Sequence, residues 1–377
     1  MSESDIQQSH TPWWIQSGLA AASGLLLGFS FPPSPFYTLA YVSFIPLFFL
    51  FARTHSYFKM ARSAYLFLLI FHLVTVYWTG GFVVGKDMWM MVAGTAVLLI
   101  HPVFYLPAVL LAFAVKKKLG LVQGLMAFAL FWTSFEYLHS LGEYSFPWLT
   151  LGNSQAYDLN RIQMIEFTSV YGLTLLIFAF NIIATVILAN YSNGQWKLRS
   201  GKVVSLLAAM VVLYFGSAVY GMMVMKSESR DEKNRMSIGI IQPNFDPWEK
   251  WGTSYGAKWE SYTQQFNYYC HETKKLASSK PDLVVWPETA IPFHILLPRY
   301  ALFRSELFTL VDTLDLPVFT GLPTAEYFDS LRAPATAERI GTADLYVESY
   351  NSSVLILPHH TLAEVHKKTV LVPFAER

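Results

Sequence analysis

The stretch PDLVVWPETA, residues 281–290, places one carboxylate, Glu288, directly after a short apolar run. Leu283 to Trp286, with Pro287, read as a buried strand and its stop. Flanking Trp286 and Ile291 are expected to lower the local dielectric. Partial desolvation moves a carboxylic acid towards the basicity of a useful general base. A base needs something to deprotonate, and developing charge needs a partner. Lys367 and Lys368, in HKKTVLVPFAER, are expected to begin a strand. Alternation puts them on opposite faces, so only one can point inward. An inward lysine beside a carboxylate could hold an oxyanion. A surface salt bridge for one and a solvated edge charge for the other fit the same residues, and both readings stay open. The chain has a single cysteine, Cys270, so no internal disulfide forms. It lies in a helix-like polar stretch and is expected to be a half-buried small side chain. The histidines, including the pair His359 and His360, show no metal-ligand spacing. No metal or other cofactor is expected.

The elements that must position Glu288 and a lysine follow from the pattern around them. MSIGIIQPN reads as a strand stopped by Pro243 and Asn244, and YGAKWESYTQQFNYYCHETKKLAS as an amphipathic helix of about six turns. DLVVW is the second strand and RYALFRSELFTLVDTLD the second helix. LPVFTGLP, LYVESYNSSVLIL and AEVHKKTVLVPF follow as strands. That order marks a layered α/β domain, in which ligands gather at the carboxyl ends of strands. Glu288 and the polar end of TGLPT are both expected there.

The rest of the chain is of another kind. Over 377 residues it is 53% hydrophobic and only 14% charged, with a mean hydropathy of +0.35, which points to a membrane protein. A net charge of +1 argues against a nucleic-acid partner. A bilayer core takes about 20 apolar residues per helix. Seven candidate spans cover residues 13–31, 36–52, 63–84, 88–115, 121–138, 164–190 and 203–224. FPPSP breaks the chain between the first two. The flank MSESDIQQSHTP has acids and no Lys or Arg, so the first span is not expected to be a good signal peptide. The expected organisation is a helical bundle over 1–225, a charged linker KSESRDEKNR over 226–235 and an α/β domain over 236–377. Arg53, Lys59, Arg62, Lys116, Lys117, Lys118, Lys197, Arg199 and Lys202 fall in alternate loops, against Lys86 and Arg161 in the others. The excess of positive charge fixes the direction: N-terminus cytoplasmic, α/β domain outside, which in a bacterium is the periplasm beyond the inner membrane.

Glu136, in FWTSFEYLHS, and Glu166, in QMIEFTSVYG, sit in span ends. An acid at membrane depth is a candidate functional group. Pairing with loop backbone, or snorkelling to the interface, is the competing account. The loop GEYSFPWLTLGNSQAY gathers Tyr144, Phe146, Trp148 and Tyr157 around Pro147. It fits an interfacial aromatic belt and equally a loop that dips back to line a route for lipid.

VVWPETAIP with KTVLVPFAE resembles the nitrilase superfamily, and within it the apolipoprotein N-acyltransferases. The resemblance covers nearly the whole chain. GFSFPPSPFYTLAYVSFIPLF is similar to that family's N-terminal helical pair. FWTSFEYL and FPWLTLGNSQ are similar to its central bundle, IIQPNFDPWEKW to the opening of its nitrilase domain, and SYNSSVLIL to the strand before its lysine. The resemblance implies a polytopic helical membrane bundle carrying an α/β nitrilase-like domain, an αββα sandwich, outside the cytoplasm. It implies Glu288 as base and Lys368, three residues before Leu371, as the catalytic lysine, with Lys367 off register by one. It further implies Glu376 as a supporting acid, and Trp251 and Trp148 as substrate contacts. Asn153 stands where the family usually has tyrosine, and Ala375 where it has glycine.

The family's nucleophilic cysteine is implied to follow the lysine after another helix and strand, with a final membrane span beyond. The sequence ends at Arg377, so the domain is expected to be incomplete, the chain truncated, and this chain inactive in acyl transfer. Cys270 precedes the glutamate and does not fit the family order. The implied reaction takes an acyl chain from a membrane phospholipid, through a cysteine thioester, to the N-terminal diacylglyceryl-cysteine of an apolipoprotein, at the surface of the lipid bilayer. Two other readings stand beside it: a membrane-tethered nitrilase-type amidase or acyltransferase with another acceptor, and a non-catalytic binder of lipid or lipoprotein.

Overall fold

The computed structural model describes residues 12–80, 88–142, 145–192, 195–196, 200–227, 235–245 and 262–371. The chain divides into two compact units, Met1–Ser229 and Arg230–Arg377. Of the stretch 226–235 expected as linker, Lys226 and Ser227 close the last helix of the first unit and Arg235 lies ahead of the first strand of the second. The rest of it lies outside the described residues.

The first unit is helical: α1 (Trp13–Gly28), α2 (Ala40–Ser43), α3 (Ile45–Arg53), α4 (Tyr57–Thr75), α5 (Met88–Leu119), α6 (Leu121–Ser140), α7 (Ile165–Ala189) and α8 (Ser200–Ser227). A two-residue ladder, β1 (Tyr191–Ser192) with β2 (Gln195–Trp196), joins α7 to α8. Each of the seven segments expected to span contains helix, but among the described residues five helices are long and apolar enough to cross a membrane. The other two fall short for physical reasons. With 16 residues, α1 is about 24 Å long against a hydrocarbon core of about 30 Å. The second is broken at Phe44, whose amide donates to Asn181 Oδ1 at 2.9 Å while Asn181 Nδ2 donates to Ala40 O at 2.9 Å. An asparagine on α7 thus satisfies the backbone groups that the α2–α3 break exposes. The third span also shifts: α4 starts at Tyr57, behind an N-cap in which Ser56 Oγ accepts from Lys59 N, and ends at Thr75.

Aromatic rings fill the centre of this bundle. Phe44, Phe48, Phe128, Trp132 and Phe178 are all buried, and Phe44 meets Trp132 edge-on at 5.4 Å. At the end of the bundle holding the 54–56 turn, Lys116 Nζ donates to Phe51 O, Ala52 O and Thr54 O at 2.7–2.9 Å, closing the carboxyl end of α3. Three histidines form a line across three helices. His72 Nδ1 meets Leu68 O at 2.7 Å, His72 Nε2 meets His101 Nδ1 at 2.7 Å, and His101 Nε2 meets His139 Nε2 at 2.9 Å.

The second unit is α/β. Strands β3 (Ile238–Ile240), β4 (Leu283–Val285), β5 (Val318–Phe328), β6 (Glu338–Arg339), β7 (Tyr346–Ile356) and β8 (Glu364–Lys367) alternate at first with α9 (Tyr262–Ala277) and α10 (Ala301–Leu314). The sheet order is β3-β4-β5-β7-β6, with β8 also on β7. The first three strands are parallel; β5–β7 and β7–β8 are antiparallel. One core joins Phe266 and Tyr269 of α9 and Leu307 and Val311 of α10 to Val284, Trp286, Val318, Leu322, Val354 and Ile356 from the sheet. Successive residues of a strand face opposite ways, so Phe319, Gly321, Asn351 and Ser353 project from the face opposite those helices. One strand expectation is corrected. Lys367 and Lys368 do not begin a strand: β8 ends at Lys367, and Lys368 N still donates to Asn351 O at 2.8 Å.

Candidate active site

Glu288 follows β4 by three residues, and the backbone around it is fixed by its neighbours. Trp286 N donates to Phe319 O at 2.8 Å, and Gly321 N to Pro287 O at 3.3 Å. The indole of Trp286 stacks on Tyr269 at 5.0 Å and donates to Thr273 Oγ1 at 3.0 Å. Thr289 takes a positive φ of 53°, so the chain turns sharply at the acid. The turn lies against β5, where a Cβ on residue 321 would stand 2.6 Å from Glu288 Cα and 2.7 Å from Thr289 N. Only glycine fits there.

The antiparallel strands bring two more groups to the same carboxylate. Lys368 Nζ lies 3.3 Å from Glu288 Oε1, and Asn351 Nδ2 donates to the same oxygen at 2.5 Å. Because Asn351 O also accepts the Lys368 amide, this one residue ties the lysine backbone to the acid. The three side chains line an open cavity of about 470 Å³ together with Gly321, Ser353 and His366. Lys367 points the other way. Its ammonium meets Glu326 at 2.6 Å and lies 4.1 Å from the centre of the Tyr350 ring. Of the two lysines, one thus lies beside Glu288 and the other in a separate ion pair with Glu326.

Two sequence expectations are corrected by this geometry. Trp286 and Ile291 do not dry the acid: they are 2% and 0% exposed in the core behind it, while the Glu288 side chain is 64% exposed. Cys270 is not half-buried but 5% exposed on α9. Burial first, and then the Glu306 carboxylate, pushes its thiol up to about 12. It borders a separate cavity beside Lys274 and Glu306.

Trp148, in the first unit, is 58% exposed. Its ring packs on Trp78 at 5.1 Å and on Phe146 at 6.0 Å. It lines an apolar cavity of about 730 Å³ with Phe31, Val76, Ile165 and Leu173. Asn153, in the position where the resemblance has tyrosine, donates to Pro147 O at 3.0 Å. Glu166 is exposed and accepts from Tyr220 on α8 at 3.3 Å. Glu136 is buried and accepts the Leu151 amide at 2.8 Å, as the loop-backbone account expected. Trp251, Glu376 and Tyr144 lie outside the described residues. Asn351 was not singled out from the sequence. Its signal was a carboxamide inside the β-branched and serine-rich run SYNSSVLIL.

Residues 23–183 match the family model described as the apolipoprotein N-acyltransferase N-terminal domain. The chain is 26% identical over 363 residues to a Chlorobaculum tepidum protein and 28% identical over 361 residues to a Geobacter metallireducens protein, both named apolipoprotein N-acyltransferase. Each alignment covers 95% of this chain and 64% of the relative. A Haemophilus influenzae protein of the same name is 26% identical over 281 residues, covering 73% of this chain and 50% of the relative. The chain thus spans just under two thirds of the length of the Chlorobaculum and Geobacter relatives. With a matched domain running through residues 23–183 and alignments that cover 95% of the chain, the chain is similar to the apolipoprotein N-acyltransferases over nearly its whole length.

Proposed function

We propose that the protein transfers an acyl chain from a membrane phospholipid to the N-terminal diacylglyceryl-cysteine of a lipoprotein. One observation carries the chemistry: a carboxylate, an ammonium and a carboxamide converge within 3.3 Å in one open cavity. The nucleophile in this reading is a cysteine thiol that the 377 residues do not supply, because Cys270 is their sole cysteine and its thiol is buried.

Glu288 takes the thiol proton as the thiolate attacks the ester carbonyl. Lys368 holds the tetrahedral oxyanion, and Asn351 keeps the carboxylate aimed. The ester C–O bond breaks, Glu288 returns its proton to the departing lyso-phospholipid alkoxide, and a thioester remains. The acceptor amine then attacks that thioester. Glu288 removes the amine proton, the oxyanion again rests on Lys368, and the thiolate leaves as the amide forms. Trp148 contacts the acyl chain. Trp251 as a substrate contact and Glu376 as a supporting acid enter on the resemblance alone.

The same reading sets the protein in a bacterial inner membrane with its N-terminus cytoplasmic and the α/β unit periplasmic. The contact of Lys116 with the α3 carboxyl end supports it, since it brings two of the basic loops to one end of the bundle. Dropping both short helices from the span count changes it by two, so the side on which each later loop falls is unchanged.

The test is acyl transfer by the full-length protein in phospholipid vesicles to a diacylglyceryl-cysteine peptide, read as a mass gain of one acyl chain. Glu288→Gln and Lys368→Met are each expected to slow it by about a hundredfold or more. Wild-type rates in either variant overturn the assignment. Release of ammonia from small amides with no acyl transfer would instead favour the amidase.

A further inference from the structure

Glu136 takes no part in the chemistry above, yet it is 4% exposed and surrounded by donors. Its Oε1 accepts from Trp132 Nε1 at 2.9 Å and from Leu151 N at 2.8 Å, and its Oε2 accepts from Thr174 Oγ1 at 3.0 Å. Thr174 Oγ1 in turn accepts from Gly152 N at 3.1 Å. Two successive amides, those of Leu151 and Gly152, are thus held by one carboxylate on α6 and one hydroxyl on α7. They open a single 3-10 turn, Leu151–Gln155. The far end of that turn is held as well: Gln155 Nε2 donates to Tyr37 O at 3.1 Å. There is no slack in the middle, since a Cβ on Gly152 would come within 2.4 Å of Val170 O.

The anchored turn carries the aromatic arm. Asn153 Nδ2 donates to Pro147 O at 3.0 Å, and Thr150 Oγ1 donates to the same oxygen at 2.8 Å. Pro147 directly precedes Trp148, whose ring meets Trp78 at the cavity lined by Phe31, Val76 and Ile165. A path of hydrogen bonds therefore runs from the Glu136 carboxylate to the backbone that aims the Trp148 indole. Burying a carboxylate is costly unless donors surround it. Here the donors are the groups whose position needs fixing.

We infer that Glu136 is a positioning residue for acyl-donor capture. It holds the 151–155 turn so that Trp148 stands against Trp78 at the cavity mouth, ready for a phospholipid acyl chain. The inference rests on the reading that the protein acts on phospholipid. It predicts that loss of Glu136 weakens donor binding and leaves the chemical step alone.

Two readouts test it. In lipid nanodiscs, near-ultraviolet circular dichroism gives the Trp148 component as wild type minus Trp148→Phe. Glu136→Leu should lose that component. Glu136→Gln should keep most of it, since its amide oxygen still accepts from Leu151 N. In the full-length protein, Glu136→Leu should raise the KM for phospholipid by roughly tenfold or more, the scale of losing hydrogen bonds to a buried charged acceptor, with kcat little changed. If Glu136→Leu does not fold, Thr174→Val removes the Gly152 link and the Thr174 donor to Glu136 but keeps the Leu151 link, and should show the same losses in smaller measure. An unchanged Trp148 signal in the leucine or valine variant overturns the inference, as does a fall in kcat at constant KM. If the wild type shows no phospholipid-dependent transfer, the functional reading fails, and the dichroism still decides whether Glu136 positions Trp148.

Discussion

Replacing Gly321 by alanine tests the site through its backbone. The new Cβ would lie 2.6 Å from Glu288 Cα, 2.7 Å from Thr289 N and 3.1 Å from Glu288 C. Non-bonded carbon atoms rest at about 3.5–4.0 Å, so the turn must retreat by roughly 1 Å. None of the crowded atoms belongs to a flexible side-chain tip. The turn is also anchored behind by Trp286 in the core and beside by the Gly321–Pro287 hydrogen bond. Retreat stretches that bond and draws Glu288 away from Lys368, now 3.3 Å distant. Overpacking of this kind costs about 1–3 kcal/mol. A displacement of about 1 Å at reacting groups costs about a hundredfold in rate. The assay pairs denaturant unfolding of the α/β unit within the intact protein with the acyl-transfer rate. Gly216→Ala on α8 is the control, because nothing lies within 4 Å of its added Cβ. Unfolding midpoints and rates equal to wild type for Gly321→Ala would refute the claim that a close backbone contact sets the carboxylate.

Other expectations follow from neighbouring features. Lys367→Met should change stability by no more than about 1 kcal/mol and leave transfer near wild type, because its pair with Glu326 is partly exposed; a loss matching Lys368→Met would break the opposite-face assignment. Cys270 should alkylate about two to three orders of magnitude more slowly in folded than in denatured protein at pH 8, since burial raises its thiol to about 12; mass spectrometry of iodoacetamide adducts reads this directly. The same shift has a pH signature. The folded thiol keeps its proton while the unfolded one loses it, so the Cys270 contribution is whole below about pH 9 and drains away between about 9 and 12, at roughly 1.4 kcal/mol per pH unit. Cys270→Ala should flatten that part of the stability curve. Arg161→Met strands buried Asp158 and frees Tyr214, whose ring centre lies 3.5 Å from the guanidinium; a loss of about 3–5 kcal/mol is expected, visible as earlier proteolysis around α8.

Glu288 was legible because an acid directly after an apolar run is a local signal, and the pleat of a strand put Lys367 and Lys368 on opposite faces. The alternation does not say which of the two meets Glu288; that came from the resemblance. Asn351 was not legible, because its reach to Glu288 depends on registers that pair Pro323 with Asn351 and Ser352 with Lys367. Nothing in the flanking residues encodes those pairings. The desolvation expected for Glu288 failed for a related reason: apolar neighbours in sequence, Trp286 and Ile291, turn into the core while the acid turns out. In the bundle, apolar runs located every helix but not the break at Phe44, whose hydrogen-bond partner Asn181 is 137 residues away. Glu136 was legible as an acid in a span end, but the Leu151 amide it holds lies across a loop, and it reaches Gly152 only through Thr174 on a second helix.

The histidine line has a consequence for where hydrogens reside. The oxygen of Leu68 can only accept, so Nδ1 of His72 carries a hydrogen. In neutral His72 the other nitrogen is a bare lone pair, and His101 must donate to it from Nδ1. The same step makes His139 donate from Nε2. One peptide oxygen therefore dictates the tautomer of three imidazoles on three helices. The donors all point one way, from His139 through His101 and His72 to a carbonyl that ends the line. Turning over any one ring would set two donors or two lone pairs against each other, so the three helices α4, α5 and α6 share one ring orientation rather than three independent ones.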